Sequence, residues 1–207
     1  GVMGTTGSGK TSFINLLNRF YDVSSGTVSI DGIDVREMPL STLRRSVSMA
    51  MQDVFLFSDT VEGNIAYGVP DMTFDEVRAC AKAADADGFV NRMEEGYDTL
   101  IGERGVGLSG GQRQRISLAR AIAMKPSVLV LDDTTSAVDM ETEKYIQHQL
   151  RNLPFPCTQV MIAQKVSSVQ DADEIIVLDE GKIIERGTHE ELLAKRGYYY
   201  GIWALQN

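Results

Sequence analysis

One eight-residue loop near the start of the sequence constrains this chain more than any other feature. It matches the pattern G-x-x-x-x-G-K-[ST] at every fixed position. Its glycines let successive backbone N–H groups turn toward phosphate oxygens, and the helix predicted to follow points its positive end at the same place. In such a loop the lysine reaches the β- and γ-phosphates, and the hydroxyl after it ligates Mg²⁺. The sequence therefore predicts a site for Mg²⁺ and a nucleoside triphosphate, most simply ATP, built from Gly4, Thr5, Thr6, Gly7, Ser8, Gly9, Lys10 and Thr11.

A short apolar run farther along the chain predicts a second ligand for the metal. Residues 128–131 read Val-Leu-Val-Leu, and Asp132 follows them directly. A continuous apolar run of this length is typical of a strand in a parallel sheet that helices cover on both faces. Because ligands bind at the carboxyl ends of such strands, we expect Asp132 to lie near the loop and to hold Mg²⁺ through water.

Strands and helices alternate along most of the sequence, and Asp31-Gly32 marks a hairpin turn. Apolar residues recur at helical spacing in three stretches, and strand-like runs lie between them. The helical stretches are residues 10–20, 73–124 (with a long helix over 109–124) and 142–153, and the strand-like runs are 27–30, 47–51, 159–163, 174–178 and 182–187. This order predicts an α/β fold: a P-loop NTPase core with a mainly parallel sheet, residues 1–52 and 125–207, and an inserted helical subdomain at about 53–124.

Composition and length exclude several function classes. The net charge of −9 gives the chain no general electrostatic reason to bind nucleic acid. No apolar stretch approaches the roughly 20 residues of a membrane-spanning helix, and Cys80 and Cys157 lack metal-ligand spacing. Gly1-Val2-Met3 is too short for the strand that such a loop follows, so we expect the first strands of a longer protein to be missing. On that expectation, the lack of a membrane span here says nothing about the whole protein.

A second glycine-rich motif predicts another anion-binding helix end. It reads Leu108-Ser109-Gly110-Gly111-Gln112 and precedes a predicted helix. Ser109 is suited to cap that helix, the glycines expose backbone N–H groups, and the positive end of the helix dipole faces outward here. Two such helix ends in one chain suggest that the second serves the nucleotide of another molecule.

With these motifs the sequence resembles, over its whole length, the nucleotide-binding domain of ABC transporters. In that family the second glycine-rich motif, carried by the helical subdomain, is the signature that acts on the ATP of a partner domain. Gly102-Glu103-Arg104-Gly105 is similar to the X-loop of the exporter branch. The resemblance further assigns Ser12 to the ATP site, Gln52 to a Q-loop that contacts the γ-phosphate, Mg²⁺ and the membrane domain, and Ser136, Ala137, Val138 and Asp139 to the D-loop.

The resemblance also implies partners and a location. Two such domains pack head to tail, so that each ATP lies between the P-loop of one domain and the signature of the other. A transmembrane domain is expected in the same full-length chain, which places this domain at the cytoplasmic face of the cell membrane. The aromatic residue that stacks on adenine in the family is expected before Gly1. The membrane domain selects the substrate, so drug, lipid and peptide all stay open.

Two positions depart from the family pattern. Where the family has a glutamate as general base for the attacking water, this chain has Asp133, whose carboxylate is one methylene shorter. A misplacement of roughly 1 Å can cost on the order of a hundredfold in rate. Where the family has a switch histidine, this chain has Gln164, which can hydrogen-bond a γ-phosphate but cannot carry a positive charge. Together they predict a site that binds ATP but hydrolyses it poorly, and this combination resembles one half of heterodimeric ABC exporters. The signature of this chain is intact, so it is expected to complete the competent site of the partner.

Several alternatives stay open at this point. Asp133 could act as an effective base through a slightly shifted water, in a homodimer with two equal sites. The chain could instead be a soluble ABC-type ATPase acting on DNA or ribosomes, or a regulatory domain that binds ATP without turnover. DNA-acting members carry long coiled-coil insertions, whereas only 56 residues (53–108) separate Gln52 from Ser109 here, without heptads. That spacing, the acidic charge and the X-loop resemblance favour an exporter.

Overall fold

The structure, a computed structural model, describes residues 1–206 except for the side chain of Glu103. The predicted part of that side chain in the X-loop therefore lies outside the described residues. The chain divides into two compact units, Gly1–Val47 with Val160–Asn207, and Ser48–Gln159. The helical subdomain expected at about 53–124 falls within the second unit, and its boundaries stay a prediction. Among residues 1–206, no helix has the length and apolar character needed to cross a bilayer.

Short strands and helices alternate along the described chain. The strands are β1 (Val2–Gly4), β2 (Ser29–Ile30), β3 (Ile33–Asp34), β4 (Val47–Ala50), β5 (Asp59–Thr60), β6 (Leu100–Ile101), β7 (Val128–Asp132), β8 (Thr158–Ile162), β9 (Ile175–Asp179) and β10 (Lys182–Gly187). The helices are α1 (Lys10–Leu17), α2 (Leu40–Ser46), α3 (Val61–Ala66), α4 (Phe74–Ala83), α5 (Asp87–Val90), α6 (Gly110–Ala123), α7 (Met140–Arg151), α8 (Val166–Val169), α9 (His189–Lys195) and α10 (Tyr198–Gln206).

The first unit contains a mainly parallel sheet with the strand order β10–β9–β1–β8. β1 runs parallel to both of its neighbours, with Val2 opposite Ile162 and Met3 opposite Val177, whereas β10 returns antiparallel to β9. Parallel neighbours require crossover connections, and helices provide them here, as the alternating sequence pattern predicts. The predicted α/β fold with a mainly parallel sheet is thereby confirmed.

The core of the first unit joins this sheet to the last described helix. Met3 and Val177 from the sheet and Tyr199 from α10 are all at most 1% exposed and belong to one apolar cluster. Ala163 and Val166, which lie on either side of Gln164 and Lys165 just after β8, belong to the same cluster. Packing in this core therefore connects α10 to the segment that follows β8.

The second unit is built around α6, which packs against α3 and α4. Ile116 and Ala119 on α6 are fully buried, in keeping with the predicted helix over 109–124. The helical stretch predicted from residue 73 onward is interrupted, because β6 pairs with β5 in antiparallel register, with Asp59 opposite Ile101. The pairing partner lies some forty residues earlier in the chain, beyond the reach of any local periodicity.

Candidate nucleotide site

The P-loop leaves β1 at Gly4 and enters α1 at Lys10. Gly4 has a φ of 150°, and a Cβ there would collide with the Leu178 carbonyl oxygen and lie 2.6 Å from the Ser8 hydroxyl oxygen. Gly9 takes the N-cap position of α1 with a φ of 104°, where an L side chain is strained. Glycine is required at both positions by the backbone itself, which supports the predicted phosphate-binding conformation.

Lys10 lies over the centre of this loop. Its Nζ donates hydrogen bonds to the carbonyl oxygens of Gly4 at 2.8 Å and Thr5 at 2.7 Å, and approaches the Ser8 hydroxyl at 3.5 Å. The loop thus holds an ammonium group beside the N-terminus of α1, whose first N–H groups have no partner within the helix. A fixed positive charge next to these donors fits a phosphate chain.

Thr11 and Ser12 follow in the first turn of α1, and both are exposed. A hydroxyl in this position is a hard oxygen ligand, which is the kind that Mg²⁺ prefers. The donor set of the loop therefore fits both the phosphates and the metal that the sequence predicts.

The second unit contains the acidic residues predicted for metal binding and catalysis. Asp132 is the last residue of β7 and Asp133 follows it. Leu129, Val130 and Leu131 are at most 4% exposed, as predicted for a buried strand, whereas Asp132 at the strand end is only half-buried. Asp133 has a φ of 50°, which is uncommon for a residue other than glycine and clusters at functional sites.

The D-loop is hydrogen-bonded to the backbone of Asp133, the predicted general base. The Asp133 carbonyl accepts hydrogen bonds from the Ser136 hydroxyl at 2.9 Å and from its N–H at 3.2 Å. Asp139 caps α7 by accepting N–H bonds from Glu141 and Thr142, and these bonds lower the pKa of its carboxyl, the Thr142 N–H most of all. The D-loop is therefore fixed at both of its ends.

Ser109 caps α6 as the sequence predicts. Its hydroxyl accepts the Gln112 N–H at 3.2 Å, and the Gln112 side chain accepts the Ser109 N–H at 2.8 Å, which forms a complete capping box. A Cβ on Gly111 would lie 2.8 Å from the Ala137 carbonyl oxygen. The signature glycine is thus needed for close packing of α6 against the D-loop.

Gln114 is a site residue that the sequence motifs do not identify. It is 7% exposed, and its side chain donates to the Ser136 hydroxyl at 3.2 Å and accepts the Ala137 N–H at 3.3 Å. One amide therefore connects the signature helix to the D-loop. The sequence signal that could have found it is its helical spacing to the apolar residues Leu118 and Ala121.

One cavity of the second unit brings several predicted residues together. It has a volume of about 440 Å³ and is open to solvent. It is lined by Gln52, Asp53, Val54, Phe55, Arg104, Gly110, Arg113 and Gln114. The predicted Q-loop residue Gln52, the X-loop residue Arg104 and the signature residue Gly110 thus line the same cavity, together with Gln114.

The predicted switch residue, Gln164, lies in the first unit together with the P-loop. It is the second residue after β8 and its side chain is exposed. The P-loop and Gln164 thus belong to one unit, and Gln52, Asp132, Asp133, the signature and the D-loop belong to the other. The roles of these residues stay predictions.

Comparisons with known proteins agree on one family. The model of the ABC transporter family matches residues 1–136. The chain is 50% identical over 206 residues to an uncharacterized ABC transporter ATP-binding protein, YknU, of Bacillus subtilis, covering 100% of this chain and 35% of that protein. It is 47% identical to an ATP-dependent lipid A-core flippase of Methylococcus capsulatus, covering 99% of this chain and 34% of the flippase. A solved structure of a bacterial Atm1-family ABC exporter with ATP bound superimposes with a TM-score of 0.95, at 40% identity, over 99% of this chain and 36% of the exporter.

Proposed function

This chain belongs to the ABC transporter family, and we propose that it is the ATP-binding and ATP-hydrolysing motor domain of a membrane exporter. The observation that carries the proposal is the P-loop, whose conformation requires glycine at two positions and which surrounds the Lys10 ammonium. The exporter branch is supported by the similarity to an exporter structure over nearly the whole chain. Since the chain spans about a third of its relatives, we expect a transmembrane domain in the same full-length protein, with this domain at the cytoplasmic face.

We expect ATP and Mg²⁺ to bind through the residues predicted from the sequence. Lys10 compensates the charge of the β- and γ-phosphates, and Thr11, Gln52 and Asp132 hold the metal. When bound, Mg²⁺ neutralises charge that develops on the phosphate oxygens. The side chain of Asp133 accepts a proton from the attacking water, and Gln164 donates a hydrogen bond to the γ-phosphate.

The partner is a second nucleotide-binding domain, and we favour a non-identical one. Asp133 and Gln164 weaken hydrolysis at the chain's own site, because the first has a shorter reach and the second cannot be charged. The signature, in contrast, is complete, and its Ser109 is exposed at the start of α6. It is therefore suited to complete a competent site on a partner that has its own glutamate and histidine. No observation favours a nucleic acid partner for this acidic chain.

Restoring the family residues at both weak positions should raise hydrolysis at this chain's own site. Asp133→Glu extends the carboxylate toward the water, and Gln164→His supplies a group that can be charged. We expect about a tenfold or larger rise in the ATPase rate contributed by this site. The first substitution restores the reach of the general base, and the second restores a side chain that can carry positive charge near the γ-phosphate. The rate is measured in the full-length assembly, with the partner's catalytic glutamate replaced so that only this site turns over. An unchanged rate would mean that the two departures do not limit this site.

The cavity around Gln52 predicts a second, separable effect on transport. Arg104 lines that cavity and is exposed in a turn with a φ of 58°. Arg104→Glu should reduce transport several-fold while leaving ATP affinity within about twofold, because Arg104 is not itself among the residues predicted to contact phosphate or Mg²⁺. Transport is followed with a fluorescent dye that the unaltered assembly exports. Arg92→Glu, at an exposed arginine in the same unit, is the charge-matched control. Equal transport rates in the two variants would mean that Arg104 does not couple ATP hydrolysis to transport.

A further inference from the structure

The backbone around the switch position is held by a side chain from a distant helix. Gln206, at the end of α10, donates from Nε2 to the Gln164 carbonyl oxygen at 3.0 Å. Its Oε1 accepts the N–H of Val166 at 2.8 Å. One amide thus binds the backbone on both sides of Lys165, over a separation of about forty residues in sequence.

The two bonds use both halves of the Gln206 amide. Val166 is the first residue of α8, and its N–H has no partner within the helix. Lys165 occupies the N-cap position and provides no side-chain cap. Gln206 supplies the missing acceptor and, at the same time, a donor for the preceding carbonyl. A side-chain amide carries a donor and an acceptor side by side, as these two bonds require.

The helix that carries Gln206 is itself firmly anchored in the first unit. At its other end the two carboxylate oxygens of Glu185 accept the N–H groups of Tyr198 and Tyr199, each at 2.8 Å. Gly197 leaves no room for a Cβ beside that carboxylate. Tyr199 is fully buried, and its hydroxyl is 2.7 Å from the His189 ring nitrogen.

The middle of the same helix packs on the segment that Gln206 binds. Ile202 and Trp203 contact the apolar cluster that contains Ala163 and Val166. Burial therefore fixes Ala163 and Val166 on either side of Gln164 and Lys165, and Gln206 fixes the carbonyl of Gln164. What stays exposed is the Gln164 side chain itself.

We propose that Gln206 is a positioning residue for the switch: by holding the backbone of Gln164 and Val166 it sets the direction in which the exposed Gln164 side chain meets the γ-phosphate. This inference rests on the role of Gln164 in the proposed function. Without these hydrogen bonds the backbone of Gln164 can move, and its side chain is then less well aligned. A small loss of alignment at a phosphate contact weakens binding of that phosphate. Only ATP has a γ-phosphate, so the effect is specific to ATP over ADP.

The test compares ATP and ADP affinities of the full-length assembly carrying single substitutions in this chain. Gln206→Met keeps the length and helix preference but removes both hydrogen bonds. We expect ATP affinity to fall about three- to tenfold, the range for one or two hydrogen bonds, with ADP affinity unchanged. Gln206→Glu keeps the acceptor for Val166 and loses the donor, and should reduce the ATP preference in the same direction. Gln170→Glu, an exposed glutamine in the same unit, is the charge-matched control and should have no effect.

A second comparison separates positioning from a purely structural role. Gln164→Ala should itself remove the preference for ATP, and Gln206→Met should then add nothing, since residues that act through one contact are not additive. Equal loss of ATP and ADP affinity with a lowered Tm in Gln206→Met would overturn the inference, and so would an unchanged ATP-to-ADP ratio in that variant. If Gln164→Ala leaves the ratio intact, the proposed switch role fails, and the positioning role fails with it. Failure of the switch role is seen in the Gln164→Ala variant alone, so it is distinguished from failure of the positioning role, which is seen only in Gln206→Met.

Discussion

Lys10→Ala is expected to weaken ATP binding by about ten- to a hundredfold, the effect of losing one charged donor shared by two phosphates. In the structure the Lys10 ammonium is held within 2.8 Å of two carbonyl oxygens of its own loop, so its position is set before any ligand arrives. Removing it leaves phosphate charge uncompensated beside a helix end. The measurement is a titration of the full-length protein with ATP in the presence of Mg²⁺.

Lys182→Ala is the matched control for this prediction. Lys182 is an exposed lysine at the start of β10 in the same unit, so the two variants lose the same charge. ATP affinity of the control should stay within about twofold of the unaltered protein, as for most exposed charges. If Lys10→Ala binds ATP as tightly as the control does, the loop is not the phosphate site.

Ser109→Arg is expected to lower the ATPase rate of the assembled transporter by about a hundredfold or more, as loss of a donor to the transferred phosphate does in other enzymes. Ser109 is exposed at the start of α6, beside two glycine N–H groups. An arginine there blocks the anion position and removes the hydroxyl. Because we propose that the signature serves the partner's ATP, the loss should appear although this chain's own P-loop is unchanged.

The loss of a helix cap must be separated from the loss of a phosphate contact. Thr73 caps α4 in the same unit with the same capping box, formed with Glu76, and is also exposed. Thr73→Arg therefore removes an equivalent cap, which is worth about 1 kcal/mol. The two variants should show similar Tm values and very different ATPase rates. Equal rates would place Ser109 outside the hydrolytic site.

Local sequence signals predicted the parts of the fold that depend on short-range chemistry. The Asp31-Gly32 turn forms with both φ values positive, at 50° and 79°, and joins β2 to β3 as expected. Ser109 and Gln112 form their capping box three residues apart. The apolar run before Asp132 forms a buried strand. In each case the residues that interact lie within one element or one turn.

Contacts between distant segments were not accessible from the sequence pattern. The bridge from Gln206 to Gln164 joins an exposed glutamine side chain on one element to a backbone carbonyl about forty residues away on another. Gln114 reaches the D-loop across 22 residues, and only the folded position of α6 reveals it. The positive φ of Asp133 also has no specific sequence signal, since aspartate is enriched in this conformation but only a small share of aspartates adopt it.

The central claim is that hydrolysis in the assembly depends on the signature of this chain much more than on its Asp133. The direct test is the steady-state ATPase rate of Asp133→Asn measured beside Ser109→Arg, each in the full-length protein with its natural partner. Asparagine tolerates the left-handed backbone at this position, so the variant removes the base without imposing strain. We expect Asp133→Asn to keep most of the rate, since the weakened site contributes little of the hydrolysis, while Ser109→Arg removes nearly all of it. Near-complete loss in both variants would contradict the claim and would mean that Asp133 is the working base of a symmetric pair.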